Sequence, residues 1–253
     1  MLTAVTMVRD EADVIGLVLA HLLAEGVDRI IVADNGSDDG TEDILAAYAE
    51  LHPVTVLEDA DPAYRQSEKM THLANVALEM GADWVLPFDA DEVFYTPGWT
   101  LRDWFKRQPD DVGVVMARGW DHIATHGDPQ LPNPLQSMVH RRAVEQRLSK
   151  VAFRAEPEVV VDWGNHDVFH HPGGRTIGGL RYRHFQYRSW SQFQRKVRQG
   201  KAAYDAIEGG AHQMYGTHWR LLGGLDDESL RARWDALCAE GDLVYDPAPV
   251  RSL

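Results

Sequence analysis

Trp84-Val85-Leu86-Pro87-Phe88-Asp89-Ala90-Asp91-Glu92 is an apolar run that ends abruptly in carboxylates. The apolar part has the length and character of a buried strand, and Gly81 stands just before it as the stop of a preceding helix. Two carboxylates at i and i+2 leave that strand end with enough reach to share one hard divalent cation. Mg²⁺ and Mn²⁺ take oxygen ligands and often retain water or phosphate oxygens. A lone Asp-x-Asp is common, and a solvated acidic loop is its plainer meaning. Its weight here comes from its place at a strand terminus.

Working outward, the same rhythm fills the chain before it. Leu2–Val8 reads as a buried strand, residues 13–25 as a helix with Val14, Leu17, Val18, His21 and Leu22 on one face, and Gly26 as its stop. Residues 30–33 form a second strand, Thr41 is the N-cap of a second helix, residues 54–57 a third strand, and residues 66–80 a third helix. Strand and helix in alternation predict an α/β fold with a central, mostly parallel sheet flanked by helices. Ligands collect beyond the carboxyl ends of such strands. Asp34 leaves the second strand there, as Asp89 and Asp91 leave the fourth. The simpler reading of Asp34 is a turn-forming residue, since Asp-Asn-Gly suits a turn.

After residue 112 the pattern loosens. A strand is expected over 112–117, loop over 119–138, short strands over 137–141, 151–154, 159–161 and 180–185, and helices over 189–206 and 226–239. The first of these helices is expected to turn Phe193, Val197 and Tyr204 inward and Arg195, Lys196, Arg198 and Lys201 largely outward. A boundary near residue 118 divides roles within one domain, 1–118 and 119–253 with the C-terminal helices.

Totals exclude several classes. The 253 residues carry a net charge of −14, which disfavours a nucleic-acid partner and means a bound diphosphate needs a metal or local cations. One cysteine, Cys238, can form no intrachain disulfide. Met1 to Val8 is too short for a signal peptide and Arg9-Asp10-Glu11 interrupts it, and no apolar run has the length of an integral membrane segment, so a cytoplasmic protein is expected.

Three segments together resemble the family 2 glycosyltransferases. Val32-Ala33-Asp34-Asn35-Gly36-Ser37-Asp38-Asp39-Gly40-Thr41 is similar to that family's nucleotide-binding segment. Thr6-Met7-Val8-Arg9-Asp10-Glu11-Ala12 is similar to its first strand and loop, and the segment around Asp89-Ala90-Asp91 to its D-x-D motif. The resemblance covers about residues 1–95, with a bacterial branch bearing Asp-Ala-Asp-Glu as the nearer likeness beyond. It implies a GT-A (nucleotide-diphospho-sugar transferase) fold. It also implies a metal-dependent, inverting transfer of a hexosyl group from a nucleoside-diphosphate sugar, expected to be UDP-linked. The hydroxyl acceptor would be a glycan, a lipid-linked glycan or a small molecule. It further implies roles: Thr6 and Met7 against the base, Asp34 bonded to it, Asp89 and Ala90 near the ribose, and Asp89 and Asp91 on Mn²⁺ or Mg²⁺. Arg9 and Lys69 become candidate phosphate or base contacts, against the alternative of ordinary surface cations. A late histidine on the metal or diphosphate matches His184, with Arg183 and Arg188 flanking it to neutralise the leaving group.

The second half must also supply a base. Trp163-Gly164-Asn165-His166-Asp167 offers Asp167, with His166 as the alternative, against the plainer meaning of a polar surface loop. Gly164-Asn165-His166-Asp167 also matches a metallophosphoesterase signature, but no Asp-x-His precedes it as that chemistry needs. A nucleotidyltransferase would carry a glycine-rich basic loop after the first strand, which Met7-Val8-Arg9-Asp10-Glu11 is not.

Overall fold

The computed structural model describes residues 1–125, 127–128, 131–207, 216–239 and 241–247. Its first part is the alternation expected: β1 (Leu2–Val8), α1 (Ile15–Ala24), β2 (Arg29–Asp34), α2 (Thr41–Leu51), β3 (Val54–Glu58), α3 (Gln66–Glu79) and β4 (Trp84–Pro87). These strands lie parallel in the order β3-β2-β1-β4. Side chains alternate across a strand, so its two faces build two cores. Ala4, Ile30, Val32 and Leu86 pack with Val18, Leu19 and Leu22 of α1. Val5, Ile31 and Val85 pack with Met70 and Leu73 of α3.

Helices α1 and α3 stop on a glycine for the same reason. Gly26 and Gly81 have φ of 84°, a conformation that costs a residue with a Cβ. There Val27 N donates to Leu22 O and Gly26 N to Leu23 O, each at 3.0 Å, and Ala82 N to Ala77 O and Gly81 N to Leu78 O, each at 2.9 Å. These paired bonds satisfy the last helical carbonyls and turn the chain straight into β2 and β4.

Beyond β4 the sheet changes character. β8 (Lys150–Arg154) joins β4 antiparallel, and β6 (Val112–Ile123) and β7 (His140–Arg142) continue it antiparallel to edge strand β12 (Leu243–Tyr245). β5 (Glu92–Tyr95) leaves the main path and pairs antiparallel with β11 (Gly174–His184), which runs parallel to β6. The sheet is therefore parallel across β3-β2-β1-β4 and mixed beyond. β6 extends through residues 119–123, where loop was expected, because β11 and β7 supply its partners. β11 begins well before residue 180 for the same reason.

Short helices α4 (Leu101–Phe105) and α5 (Pro134–Ser137) and the hairpin of β9 (Val160–Val161) with β10 (Val168–Phe169) fill the edges. Helices α6 (Trp190–Asp205), α7 (Thr217–Gly223) and α8 (Asp227–Ala239) pack together on a third apolar cluster that includes Phe193, Val197, Leu230 and Trp234. Among the described residues no helix is long and apolar enough to cross a membrane.

Candidate active site

Three strands bring the central group together. The β5–β11 register sets His184 opposite Glu92, one residue beyond Asp91, and the β11–β6 register sets His184 opposite Asp121. The imidazole consequently bridges two carboxylates. Its Nε2 lies 3.6 Å from Asp91 Oδ1 and its Nδ1 lies 2.8 Å from Asp121 Oδ1. Gln146 Nε2 reaches Asp121 Oδ1 as well, and the Tyr182 hydroxyl donates to Gln146 Oε1. Burial works to lower the pKa of His184, but the Asp91 charge and the Asp121 hydrogen bond outweigh it and raise it to about 9.

Asp91 is 2% exposed, and cations surround its other oxygen. Lys196 Nζ sits 2.5 Å from Asp91 Oδ2 and 2.7 Å from Glu11 Oε1. Arg188 places NH1 3.8 Å from the same Asp91 oxygen, bonds Glu11 through NH2, and reaches Asp13 Oδ2 through Nε at 2.7 Å. Burial would raise the pKa of Asp91, yet Lys196, His184 and Arg188 together hold it well below the usual carboxylate range.

Lys196 corrects the helical-face expectation. It was placed outward with its charged neighbours, but its ammonium points into the site. The long stem lets the charged head reach two buried acids, Glu11 and Asp91. Among the residues that carry this site, Lys196, Glu11, Asp121, Gln146 and Lys150 were not singled out from the sequence.

Asp89 forms the second group. Its Oδ2 takes Lys150 Nζ at 2.5 Å, and its Oδ1 takes Asn165 Nδ2 at 3.0 Å and Gln66 Nε2 at 3.4 Å. Lys150 also reaches Glu92 Oε1 at 2.8 Å, and Glu92 Oε2 accepts the Asp89 backbone N–H at 3.1 Å. Burial alone would lower the Lys150 pKa, but Asp89 and Glu92 reverse that and keep it charged. Glu92 is fully buried, and burial raises its pKa to about 7 despite Lys150 and His184, so truncating Lys150 removes the larger of the two cationic contributions that oppose that rise. Lys150→Met is expected to cost about 3–5 kcal/mol of folding stability. Lys150→Met with Glu92→Gln should recover a large part of that loss in urea unfolding. A single variant within about 1 kcal/mol of wild type, the usual reach of a surface pair, would show that Lys150 does not hold this group.

Both groups face one cavity of about 180 Å³. Met7 and Arg9 at the end of β1, Asn35 after β2, Tyr64 and Gln66 before and at the start of α3, and Asp89-Ala90-Asp91 line it from one side. Helix α6 covers the other side with Lys196, Gln199, Gly200, Ala203 and Tyr204, joined by Trp219 of α7. Arg195 NH2 bonds Asp10 O at 3.0 Å, and Ala203 O accepts Tyr64 N at 3.1 Å, which tie α6 across the loops.

Of the residues expected at the site, Met7, Arg9, Asp89, Ala90, Asp91 and His184 line this cavity. Arg188 stands behind Asp91, saturated by Glu11 and Asp13. Thr6 is buried beside Met7, its hydroxyl on Met7 O at 3.3 Å. The Asp34 carboxylate accepts the Ser37 hydroxyl at 2.5 Å and so serves the turn, while the neighbouring Asn35 faces the cavity. Lys69 braces the loop beneath Asn35, with Nζ 2.6 Å from Asp59 Oδ2. Arg183 is turned to the opposite face of β11 from His184 by strand alternation; it pairs with Asp246 at 3.0 Å and stacks 4.1 Å from the Tyr95 ring centroid. His166 bonds Ser149 O at 2.9 Å, and Asp167 pairs with Arg175 and accepts Val168 N at 2.7 Å; neither lines the cavity.

Residues 3–119 match the family model described as Glycosyl transferase family 2. Among solved structures, S. aureus TarS 1–349 in complex with UDP aligns at 12% identity over 83% of this chain and 68% of its own length, with a TM-score of 0.44. GalNAc-T7 with UDP, GalNAc and Mn²⁺ aligns at 12% identity over 93% of this chain and 54% of its own, with a TM-score of 0.46. A 4-diphosphocytidyl-2C-methyl-D-erythritol synthase aligns at 15% identity over 61% of this chain and 75% of its own, with a TM-score of 0.38. Comparison with curated protein sequences gives no match.

Proposed function

We propose, from the match of residues 3–119 to the family 2 glycosyltransferase model, that this chain is a glycosyltransferase of that kind and transfers a hexosyl group from a UDP-linked sugar to a hydroxyl acceptor, with inversion and with help from Mn²⁺ or Mg²⁺. The observation that carries the reading is the convergence on one cavity of Asp91 Oδ1, His184 Nε2 and the Lys196 ammonium.

The donor set fits a divalent cation of that kind. Asp91 Oδ1 and His184 Nε2 are 3.6 Å apart on the cavity wall, and a carboxylate holds the far nitrogen of the imidazole, as is usual for a ligating histidine. Among the described residues no third acidic, histidine or cysteine group completes a cage, so phosphate and water oxygens would supply the remaining positions. When bound, the cation supplies charge neutralisation for the diphosphate.

The chain's own residues do the rest. Lys196 presents its ammonium beside the diphosphate, where charge develops as the bond from the anomeric carbon to phosphate oxygen breaks. Asp89, held rigid by Lys150, Asn165 and Gln66, accepts hydrogen bonds from donor hydroxyls. Met7, Asn35 and Tyr64 form the wall for the nucleoside. The acceptor oxygen bonds to the anomeric carbon from the opposite side, its proton passes to solvent water, and the electron pair of the broken bond leaves on the diphosphate.

Calorimetric titration with UDP, dTDP and GDP, each with and without Mn²⁺, tests this. Metal-dependent binding of UDP above the other two is expected. Absence of binding by all three nucleotides, in both conditions, defeats the proposal.

A further inference from the structure

Trp163-Gly164-Asn165-His166-Asp167 reads in the sequence as the source of a base, but its fold setting gives it a different task. The hairpin that carries it is fixed to α3. Ser67 Oγ donates to Val161 O at 2.6 Å, Val161 N donates to Thr71 Oγ1 at 2.9 Å, and Gly164 N donates to Gln66 Oε1 at 2.7 Å. Ser67 and Thr71 stand one helical turn apart, so one face of α3 holds the strand while Gln66, the first residue of the helix, holds the turn. Asn165 ends the 3₁₀ turn Trp163–Asn165, and its backbone N–H donates to Asp162 O at 3.1 Å. Its side-chain amide is turned to Asp89.

We propose that Asn165 is a positioning residue for the sugar nucleotide: it holds Asp89 in the one orientation that meets the donor hydroxyls. The inference rests on the glycosyl-transfer reading above and adds a residue, outside the donor cavity, on which donor affinity depends.

Three observations carry it. The first is the grip on Asp89. Asn165 Nδ2 holds Oδ1 at 3.0 Å and the Lys150 ammonium holds Oδ2 at 2.5 Å. A carboxylate held at one oxygen can still rotate about its Cβ–Cγ bond, whereas one held at both has its plane fixed. The Asp89 side chain nevertheless keeps 32% of its surface exposed and lines the cavity, so it is fixed and open to a ligand at once.

The second is an orphaned atom. Asn165 is 0% exposed, and its Oδ1 is buried and accepts no hydrogen bond among the described residues. An ionised carboxylate can only accept, so Asp89 draws the amide nitrogen to itself and leaves the amide oxygen pointing elsewhere. A buried polar atom without a partner works against folding. The third is the backbone. Asn165 has φ of 56°, a conformation that glycine adopts freely and other residues seldom do. Glycine would remove the orphaned oxygen and suit the backbone better. What asparagine supplies in exchange is the bond to Asp89. Local rules broken beside a ligand cavity mark a residue held for function more than for stability.

Calorimetric titration with UDP and Mg²⁺ on wild type, Asn165→Gly, Asp89→Ala and the double variant tests this. Urea unfolding of the same proteins reports the fold, which Asn165→Gly is expected to keep. Asn165→Gly should weaken UDP binding about 10–100-fold, the usual effect of removing a group that orients a ligand-binding side chain. Asp89→Ala is expected to retain weaker binding through Asp91, Lys196 and the nucleoside wall. In that background Asn165→Gly should weaken binding by no more than about twofold further, because a residue that acts through another has nothing left to act on. Equal weakening in both backgrounds, wild-type affinity in Asn165→Gly, or loss of its cooperative unfolding overturns the assignment and leaves glycosyl transfer standing. Failure of wild type itself to bind UDP would instead remove the transferase reading on which the assignment depends.

Discussion

Asp91→Asn should lower the rate of sugar transfer by on the order of 10³-fold and remove the metal dependence of nucleotide binding. Asparagine keeps the shape of the side chain and one oxygen, so the variant isolates charge. The effect is large because Asp91 is the common partner of His184, Lys196 and Arg188. Without its charge, His184 loses the group that most raises its pKa, and no carboxylate remains beside Nε2 to complete the cation site. The fold should survive. Lys196 retains Glu11, and Arg188 retains both Glu11 and Asp13, so neither cation is left unpaired in the interior. The variant should therefore show near-normal urea unfolding with lost turnover. Transfer within about tenfold of wild type, a barrier change near 1.4 kcal/mol, would place the chemistry elsewhere.

Why Asp91 was legible and its partners were not follows from the range of the contacts. The Asp89-Ala90-Asp91-Glu92 turn is fixed by the strand before it, so its position at a carboxyl edge could be read from a dozen neighbouring residues. The same holds for β1 to β4 and α1 to α3, whose hydrophobic periods and glycine stops are local. His184 was singled out only by likeness. Its real setting depends on two strand registers, to Glu92 and to Asp121, that join residues 92 and 63 positions away. No window of sequence holds such a register. At Asp34 the turn was equally legible from local residues. An Asp-Asn-Gly-Ser turn predicts an Asp side chain spent on its own backbone and on Ser37, which the structure shows. Arg183, expected to flank His184 at the leaving group, lies on the other face of β11 and pairs with Asp246. Tyr182 and His184 share a face of β11, so the residue between them had to point away.

Lys196→Met should split two quantities that a purely structural lysine would move together. Turnover is expected to fall by about 10²-fold, the usual cost of removing one donor aimed at developing charge. Affinity for Mn²⁺ in the absence of nucleotide is expected to rise. The ammonium lies 2.5 Å from Asp91 Oδ2 and 2.7 Å from Glu11 Oε1, so it competes with any other cation for the same carboxylates. Burial by itself would lower the Lys196 pKa, but Asp91 and Glu11 raise it, so the lysine stays charged and the competition persists at neutral pH. Methionine keeps most of the unbranched stem and removes the charge. Lys196→Arg should restore part of the turnover, since a guanidinium keeps the charge but is bulkier and planar. Mn²⁺ affinity can be read by electron paramagnetic resonance titration and turnover by release of nucleoside diphosphate. A fall in both, with no rescue by arginine, would mean that Lys196 only holds α6 over the cavity. A rise in affinity with a fall in turnover would mean that the chain carries its own cation for Asp91 and hands it to the diphosphate when the donor arrives.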